Sequence, residues 1–285
     1  MTNIVNLIKD LRNKTGAGFL DCKNALSENN NNLDDSIEYL RKKGLAKASK
    51  KTSREANEGA IGIYANVNFI VLLKVNSETD FAAKSDTFLN FLDELGKFAI
   101  DNADINLSKD VFLNLQYNKI FISEFFDSMI AKIGENLILN ELIVLENKNT
   151  GYSFYVHNSY KKNIGKIISI IQYETQIVDE TIKTLSKNLC MHIAAMKPES
   201  LDIDDLDKDL IEKEKNIQKE LILNSGKPSN IVEKILDGKM NKFYSEVTFL
   251  NQNYILDQEK TVKSIIKDHY NEYNFKIKSF KIISL

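Results

Sequence analysis

The sequence predicts an α+β protein, and three observations carry that prediction. Apolar residues recur at helical spacing through the first 43 residues. From Ala60 the period changes to two in paired runs, and each pair is followed by a helical stretch. After residue 199 an acidic segment with recurring Leu and Ile turns back on itself. The expected architecture is an N-terminal three-helix domain, a core of two α+β halves with antiparallel sheets, an inserted antiparallel helical hairpin and a short C-terminal module. The expected boundaries are 1–54 for the helical domain and a basic linker, 55–140 and 141–200 for the two core halves, 201–243 for the hairpin arm, and 244–285 for the core return and C-terminal module.

In the N-terminal part, Ile4, Leu7, Ile8 and Leu11 form one helical face. Thr15-Gly-Ala-Gly18 breaks the chain, because paired glycines suit a tight turn. Phe19, Cys22, Ala25 and Leu26 form a second face, and the Asn29–Asn32 run is a polar turn. Leu33, Ile37 and Leu40 form the third, with Asp34 and Asp35 in the first turn, where the helix dipole favours acids. Such a unit resembles the ubiquitin-associated type of fold. Its core is small, so it is expected to lean on the rest of the chain or on a partner. Arg41, Lys42, Lys43, Lys47, Lys50, Lys51 and Arg54 then follow with no acid between them. This run reads either as a solvated helix extension and linker or as a steering patch for an acidic partner or RNA phosphates. No aromatics interleave it, which argues against a base-stacking platform.

Ile61, Ile63 and Ala65, then Phe69, Val71 and Leu73, flank the turn signal Asn66-Val-Asn68, so a β-hairpin is expected. Phe81 to Asn102 reads as one helix with a stripe of Phe88, Phe91, Leu92, Leu95 and Phe98, and Phe112 to Lys132 as another. Ile138–Glu146 and Ser153–Val156 are expected strands, Ile164–Tyr173 a strand buried on both faces, and Asp179–Met196 a helix. A hairpin followed by a helix thus occurs twice, with similar junctions at Val75-Asn-Ser-Glu-Thr79 and Ile171-Gln-Tyr-Glu-Thr175. In the arm, Leu206, Leu210, Ile217 and Leu221 recur near a 3.5 period, and Ile231, Val232, Ile235, Leu236 and Phe243 return, as in a coiled coil. Ser225-Gly-Lys-Pro228 turns the chain, with Gly226 as C-cap and Pro228 in the next helix's first turn. The tail from Tyr244 is expected to hold a short strand, a helix over Thr261–Tyr270 and a last strand near Phe275–Ile283.

Composition narrows the function. The 285 residues carry 38 basic and 40 acidic side chains, a net charge of −2, which disfavours a globally basic nucleic-acid binder. Two cysteines, Cys22 and Cys190, exclude a disulfide-stapled scaffold and a four-cysteine zinc site. The most apolar stretches, Phe69–Val75 and Ile164–Ile171, fall short of the ~20 residues a membrane helix needs, so no membrane association is expected. The first ten residues contain Asp10 and no long apolar run, unlike a signal peptide, and a cytoplasmic setting is expected. His157, His192 and His269 are far apart, and His192 with Cys190 does not share a helix face, so His192 is expected to be structural and no metal site is expected. Gly226-Lys-Pro-Ser229 echoes the end of a phosphate-binding loop, but Leu221 stands where its first glycine belongs. No cofactor, nucleotide-binding loop or enzymatic active site is therefore expected.

Six segments resemble one family. Thr15-Gly-Ala-Gly-Phe-Leu-Asp-Cys-Lys-Asn-Ala-Leu26, Asn76-Ser-Glu-Thr-Asp-Phe-Ala-Ala-Lys84, Lys132-Ile-Gly-Glu-Asn136, Met191-His-Ile-Ala-Ala195 with Lys197-Pro198, Ser225-Gly-Lys-Pro228 and Gly238-Lys-Met-Asn-Lys-Phe243 follow, in order, the signatures of translation elongation factor Ts. The resemblance implies a guanine nucleotide exchange factor for elongation factor Tu, with no active site of its own. It further implies that Asp80 and Phe81 intrude near the partner's Mg²⁺ and phosphate site, Phe81 as wedge and Asp80 as polar anchor. The alternative for this pair is an Asp80 N-cap with Phe81 buried in the core. Thr79, Ala82, Lys84, Ile133, Gly134, His157 and Lys23 match the family's other partner-contacting positions. Three departures stand out: Ala82 where Val is usual, Phe19-Leu20 where Met is common, and Asn140-Glu141 where two arginines often stand. Pairing through the core, as a homodimer or a two-plus-two complex, is compatible with the family. A different class of function, a non-catalytic RNA- or assembly-binding module built on the 41–54 run and the helical arm, rests on charge and amphipathicity alone.

Overall fold

The computed structural model of the protein describes residues 4–49, 51–147, 151–224 and 229–285, without the side chains of 45–49, 229, 230 and 271. The side chains of Lys47 and Lys50 and the expected turn Ser225-Gly-Lys-Pro228, with its Gly226 cap and Pro228, lie outside the described residues. The chain divides into two units. One comprises Met1–Glu146, Asn158–Lys166 and Ser284–Leu285, the other Asn147–His157 and Ile167–Ile283.

The first unit opens with α1 (Ile4–Thr15), α2 (Phe19–Glu28) and α3 (Leu33–Ser49). Ile8, Leu11, Cys22, Ala25, Leu26 and Leu40 form their core. Gly16 adopts a left-handed φ of 67° and its N–H closes α1 on Arg12 O at 2.7 Å, which is the reason for a glycine there. Two expected core members are displaced outward: Ile4 is 46% exposed and Phe19 55%. Three short helices enclose too little volume to bury both ends of each apolar stripe.

β1 (Glu58–Ala65) and β2 (Phe69–Ser77) form the expected hairpin. Its turn is organised by Asn66, whose Oδ1 accepts from the N–H groups of Asn68 and Phe69 at 2.9 and 2.8 Å. The helix expected over 81–102 is in fact two, α4 (Asp80–Ala83) and α5 (Asp86–Asp101). Ser85 causes the break: it is extended, accepts from Phe88 N–H at 3.2 Å and so caps a new helix. The helix expected over 112–132 is also interrupted. It resolves into α6 (Lys109–Leu113), a small hairpin of β3 (Gln116–Tyr117) and β4 (Ile120–Phe121), and α7 (Ile122–Ile133). Asn118 and Lys119 at its tip both have positive φ, the conformation a two-residue hairpin turn demands. β5 (Leu137–Glu146) pairs antiparallel with β2, and the first residues of β7 (Ile164–Glu174) pair with Ile61 and Gly62 of β1. α5 and α7 cover this sheet through Phe88, Phe91, Leu92, Phe126, Met129 and Ile130. Phe91 meets Phe125 and Phe126 edge to face, each at 4.9 Å. Burial of each large apolar side chain contributes roughly 1.5–3 kcal/mol, so this core anchors whatever projects from its rim.

In the second unit β6 (Gly151–Lys161) and β10 (Lys276–Ser284) both pair with β7. α8 (Glu180–Met196), capped by Asp179, packs Ile182, Leu189, Cys190 and Ile193 with Ile171, Phe249, Val262 and Phe275. α9 (Lys208–Asn224) and α10 (Ser229–Val247) form the arm. On α10 the seam is the expected one, with Val232, Ile235, Leu236 and Phe243 turned inward, but on α9 it is displaced. Ile222, Val232, Leu236 and Met240 are buried together with Ile211 beside them, whereas Ile217 and Leu221 are 43% and 58% exposed. Ile211 and Ile222 stand eleven residues apart, three full turns, a repeat that keeps one face on a nearly straight helix. The tail holds a hairpin rather than a single strand, β8 (Asn253–Tyr254) with β9 (Asp257–Thr261), followed by α11 (Val262–Tyr273).

Candidate functional site

The segment after β2 makes a tight corner. Thr79 is extended and caps α4: its Oγ1 accepts from Ala82 N–H at 3.2 Å. The cap is therefore Thr79, not Asp80. One turn of helix then sorts its side chains by face. Ala82 and Ala83 are buried at 8% and 0%, while Phe81 points outward and is 83% exposed. Phe81 is thus not core filler. Ala82, where Val is usual in the family, faces inward, so its smaller size takes nothing from the displayed surface.

A second segment braces this corner. α7 ends at Gly134, whose φ of 89° closes the helix on Ile130 O at 2.9 Å. The chain then reverses, and Glu135 meets Thr79 twice: Oε2 accepts from Thr79 N–H at 2.9 Å and Oε1 from Thr79 Oγ1 at 2.7 Å. Asn136 N–H donates to Glu78 Oε1 at 2.7 Å. Bonds to a carboxylate are among the stronger ones available to a backbone.

Asp80 and Lys84 flank Phe81 on the solvent side. Lys84 Nζ lies 2.6 Å from Asp80 Oδ2, one helical turn away. That bond holds the Asp80 carboxyl below its usual range and pushes the Lys84 ammonium above its own. Both groups are charged at neutral pH and presented beside an exposed ring.

Thr79, Asp80, Phe81, Ala82 and Lys84 are thus gathered with Ile133 and Gly134, the former half-buried and the latter exposed. Lys23 is exposed on α2 of the same unit. His157 belongs to the second unit, exposed, with Nδ1 3.2 Å from Tyr155 Oη. The bracing residues Glu78, Glu135 and Asn136 escaped the sequence reading. They lie within two recognised signatures, but nothing in their spacing announces that Glu135 bonds Thr79 and Asn136 bonds Glu78, across 56 and 58 residues.

His192 is structural, as expected. It is fully buried, with Nε2 2.9 Å from Gln252 Oε1 and Nδ1 accepting from Ile255 N–H at 3.2 Å. Cys190 turns elsewhere, to Ser153 O at 3.1 Å. Among the described residues no three His, Cys, Asp or Glu side chains are grouped to hold a metal ion, and no helix is long and apolar enough to cross a membrane. Asn140 is exposed and Glu141 lies 3.9 Å from Lys74 Nζ, so the position where the family often carries an arginine holds an acid facing a lysine.

The fold and the corner define an α+β protein that displays a single aromatic from a braced turn between a sheet and a helical layer. The family model described as elongation factor TS matches residues 78–285, beginning at the corner itself. Over 278 residues the chain is 38% identical to the elongation factor Ts of Rickettsia prowazekii, covering 97% of this chain and 89% of that protein. It is 39% identical to that of Rickettsia typhi over 277 residues, with the same coverages, and 38% identical to that of Ehrlichia ruminantium over 273 residues, covering 94% and 93%. The chain belongs to the elongation factor Ts family of translation elongation factors.

Proposed function

We propose that this protein binds elongation factor Tu in its GDP-bound state and promotes GDP release, so that GTP can reload during protein synthesis. The observation that carries the reading is Phe81, 83% exposed on a corner held by two bonds that Thr79 donates to Glu135. To speed nucleotide loss, a protein must bind the nucleotide-free partner better than the GDP-bound one. An aromatic wedge does this when it fills space that opens only as the Mg²⁺ and phosphate site is distorted. A wedge on a loose loop would bend instead, and the bracing supports its use as a rigid tool.

The roles follow the surface. Phe81 is the wedge, and Asp80 with Lys84 forms the polar rim. Ile133, Gly134, His157 and Lys23 are further contacts, with Thr79 and Ala82 seating the corner. The protein acts without a nucleotide site, cofactor or active site of its own. The alternative RNA-binding reading is weakened by the engagement of four side chains of the basic run within the protein: Lys42 pairs with Glu38, Lys43 with Asp21, Lys51 with Gly134 O and Arg54 with Glu78.

The test is release of a fluorescent GDP analogue from cognate elongation factor Tu. Adding this protein accelerates release, and Phe81→Ala removes roughly 2 kcal/mol or more of that acceleration, the loss expected for a central aromatic hot spot. Wild-type rates from Phe81→Ala would overturn the wedge.

A further inference from the structure

Residues 51–57, ahead of β1, form no helix or strand, yet the segment is tied down at four positions. Lys51 Nζ donates to Gly134 O. Asn136 Nδ2 donates to Thr52 O at 3.4 Å and to Arg54 O at 2.7 Å. Arg54 Nη1 reaches Glu78 Oε2 at 3.4 Å, and Asn76 Nδ2 donates to Ala56 O at 2.9 Å. The partners of these bonds, Asn76, Glu78, Gly134 and Asn136, lie in the two segments that form the Phe81 corner. Asn136 is the hub. It is 1% exposed, its side chain holds the connection from the helical part and its N–H holds Glu78, directly before the cap of α4.

We propose that residues 51–56 act as a strap and that Asn136 is a positioning residue. By joining the strap to Glu78, it sets the angle at which Phe81 leaves the core and links that angle to the three N-terminal helices. A buried side-chain amide that satisfies two backbone carbonyls has one geometry in which both bonds form, so it transmits position rather than merely adding stability. The inference rests on the exchange reading above and gives Asn136 a role through the corner rather than through contact with the partner.

The test uses Asn136→Asp in the full chain, with wild type and Phe81→Ala in parallel. The substitution preserves size and removes both donors. GDP release is measured against protein concentration, which separates the maximal rate from the half-saturating concentration. Asn136→Asp is expected to lower the maximal rate about tenfold, as small misplacements of a positioned group do, with half-saturation within about twofold of wild type because the contact surface is retained. Amide exchange at residues 79–83 is expected to quicken. Glu78→Gln, at a partly exposed position, removes the Arg54 charge partner while keeping an acceptor for Asn136 N–H, and is expected to give a smaller fall of the same kind. A wild-type maximal rate for Asn136→Asp, or a loss confined to half-saturation, overturns the proposal provided wild type accelerates release and Phe81→Ala does not. Failure of wild type itself to accelerate release overturns the exchange reading instead.

Discussion

Thr79 Oγ1 uses its proton and a lone pair in opposite directions: it donates to Glu135 Oε1 at 2.7 Å and accepts from Ala82 N–H at 3.2 Å. One hydroxyl thus starts α4 and ties it to the end of α7. Thr79→Val keeps the shape and removes both bonds. It is expected to cost about 1 kcal/mol of folding stability, the usual value of a lost N-cap, and also to slow GDP release from elongation factor Tu. Urea denaturation and the release assay together check this, and an unchanged release rate at reduced stability would separate the cap from the wedge.

Phe81 offers the converse. Its ring is mostly in water, so Phe81→Ala is expected to leave folding stability within about 0.5 kcal/mol of wild type while abolishing most of the exchange activity. A large fall in the urea midpoint would mean that the ring packs more than its 83% exposure allows.

The core under the corner depends on a close approach. Tyr64 is 8% exposed, its hydroxyl donating to Leu92 O at 3.3 Å, and its ring lies over Gly96 in the middle of α5. A Cβ on Gly96 would stand 1.9 Å from Tyr64 Cε2. Alanine at an exposed helical position gains about 1 kcal/mol over glycine. Here overpacking dominates, and Gly96→Ala is expected to destabilise by about 1–3 kcal/mol. A raised denaturation midpoint would contradict the packing.

His192 gives a pH dependence with a definite sign. Burial pushes its pKa below the ordinary 6.5, with the Gln252 bond opposing that shift. The folded protein therefore takes up the proton less readily than the unfolded chain. The contribution is fully present above pH 6.5 and is lost as pH falls from there toward the depressed value. His192→Asn keeps an acceptor for Ile255 N–H and is expected to flatten this part of the stability profile. It also leaves Gln252 Oε1 without its donor, at a cost of about 1–3 kcal/mol at neutral pH. Denaturation midpoints of both proteins across pH 5 to 8 decide it; parallel profiles would place the titration elsewhere.

Much of this protein is written in local pattern. The helical stripes of residues 4–43, the period-two runs around Asn66-Val-Asn68 and the acidic arm each identify an element, because an apolar side chain repeating at 3.6 or 2 residues has one face to bury whatever covers it. The Asn76–Lys84 segment also marked the candidate corner, together with its resemblance to elongation factor Ts. Pattern failed where a cap or a turn overruled it. Ser85 splits a continuous stripe by capping Phe88, and Asn118 and Lys119 insert a hairpin where the apolar residues run on.

The register of the arm and the stiffness of the corner lie beyond pattern altogether. Leu221 and Ile222 are adjacent and equally apolar, and which of them is buried depends on the facing Val232, Leu236 and Met240. That Phe81 faces solvent rather than the core is a property of the corner that Thr79 and Glu135 close, 56 residues apart along the chain. Sequence specifies the chemistry of each side chain and the period of its element. Direction and rigidity arise only when distant segments close on one another, because a hydrogen bond restrains an angle only after both partners have been brought to it.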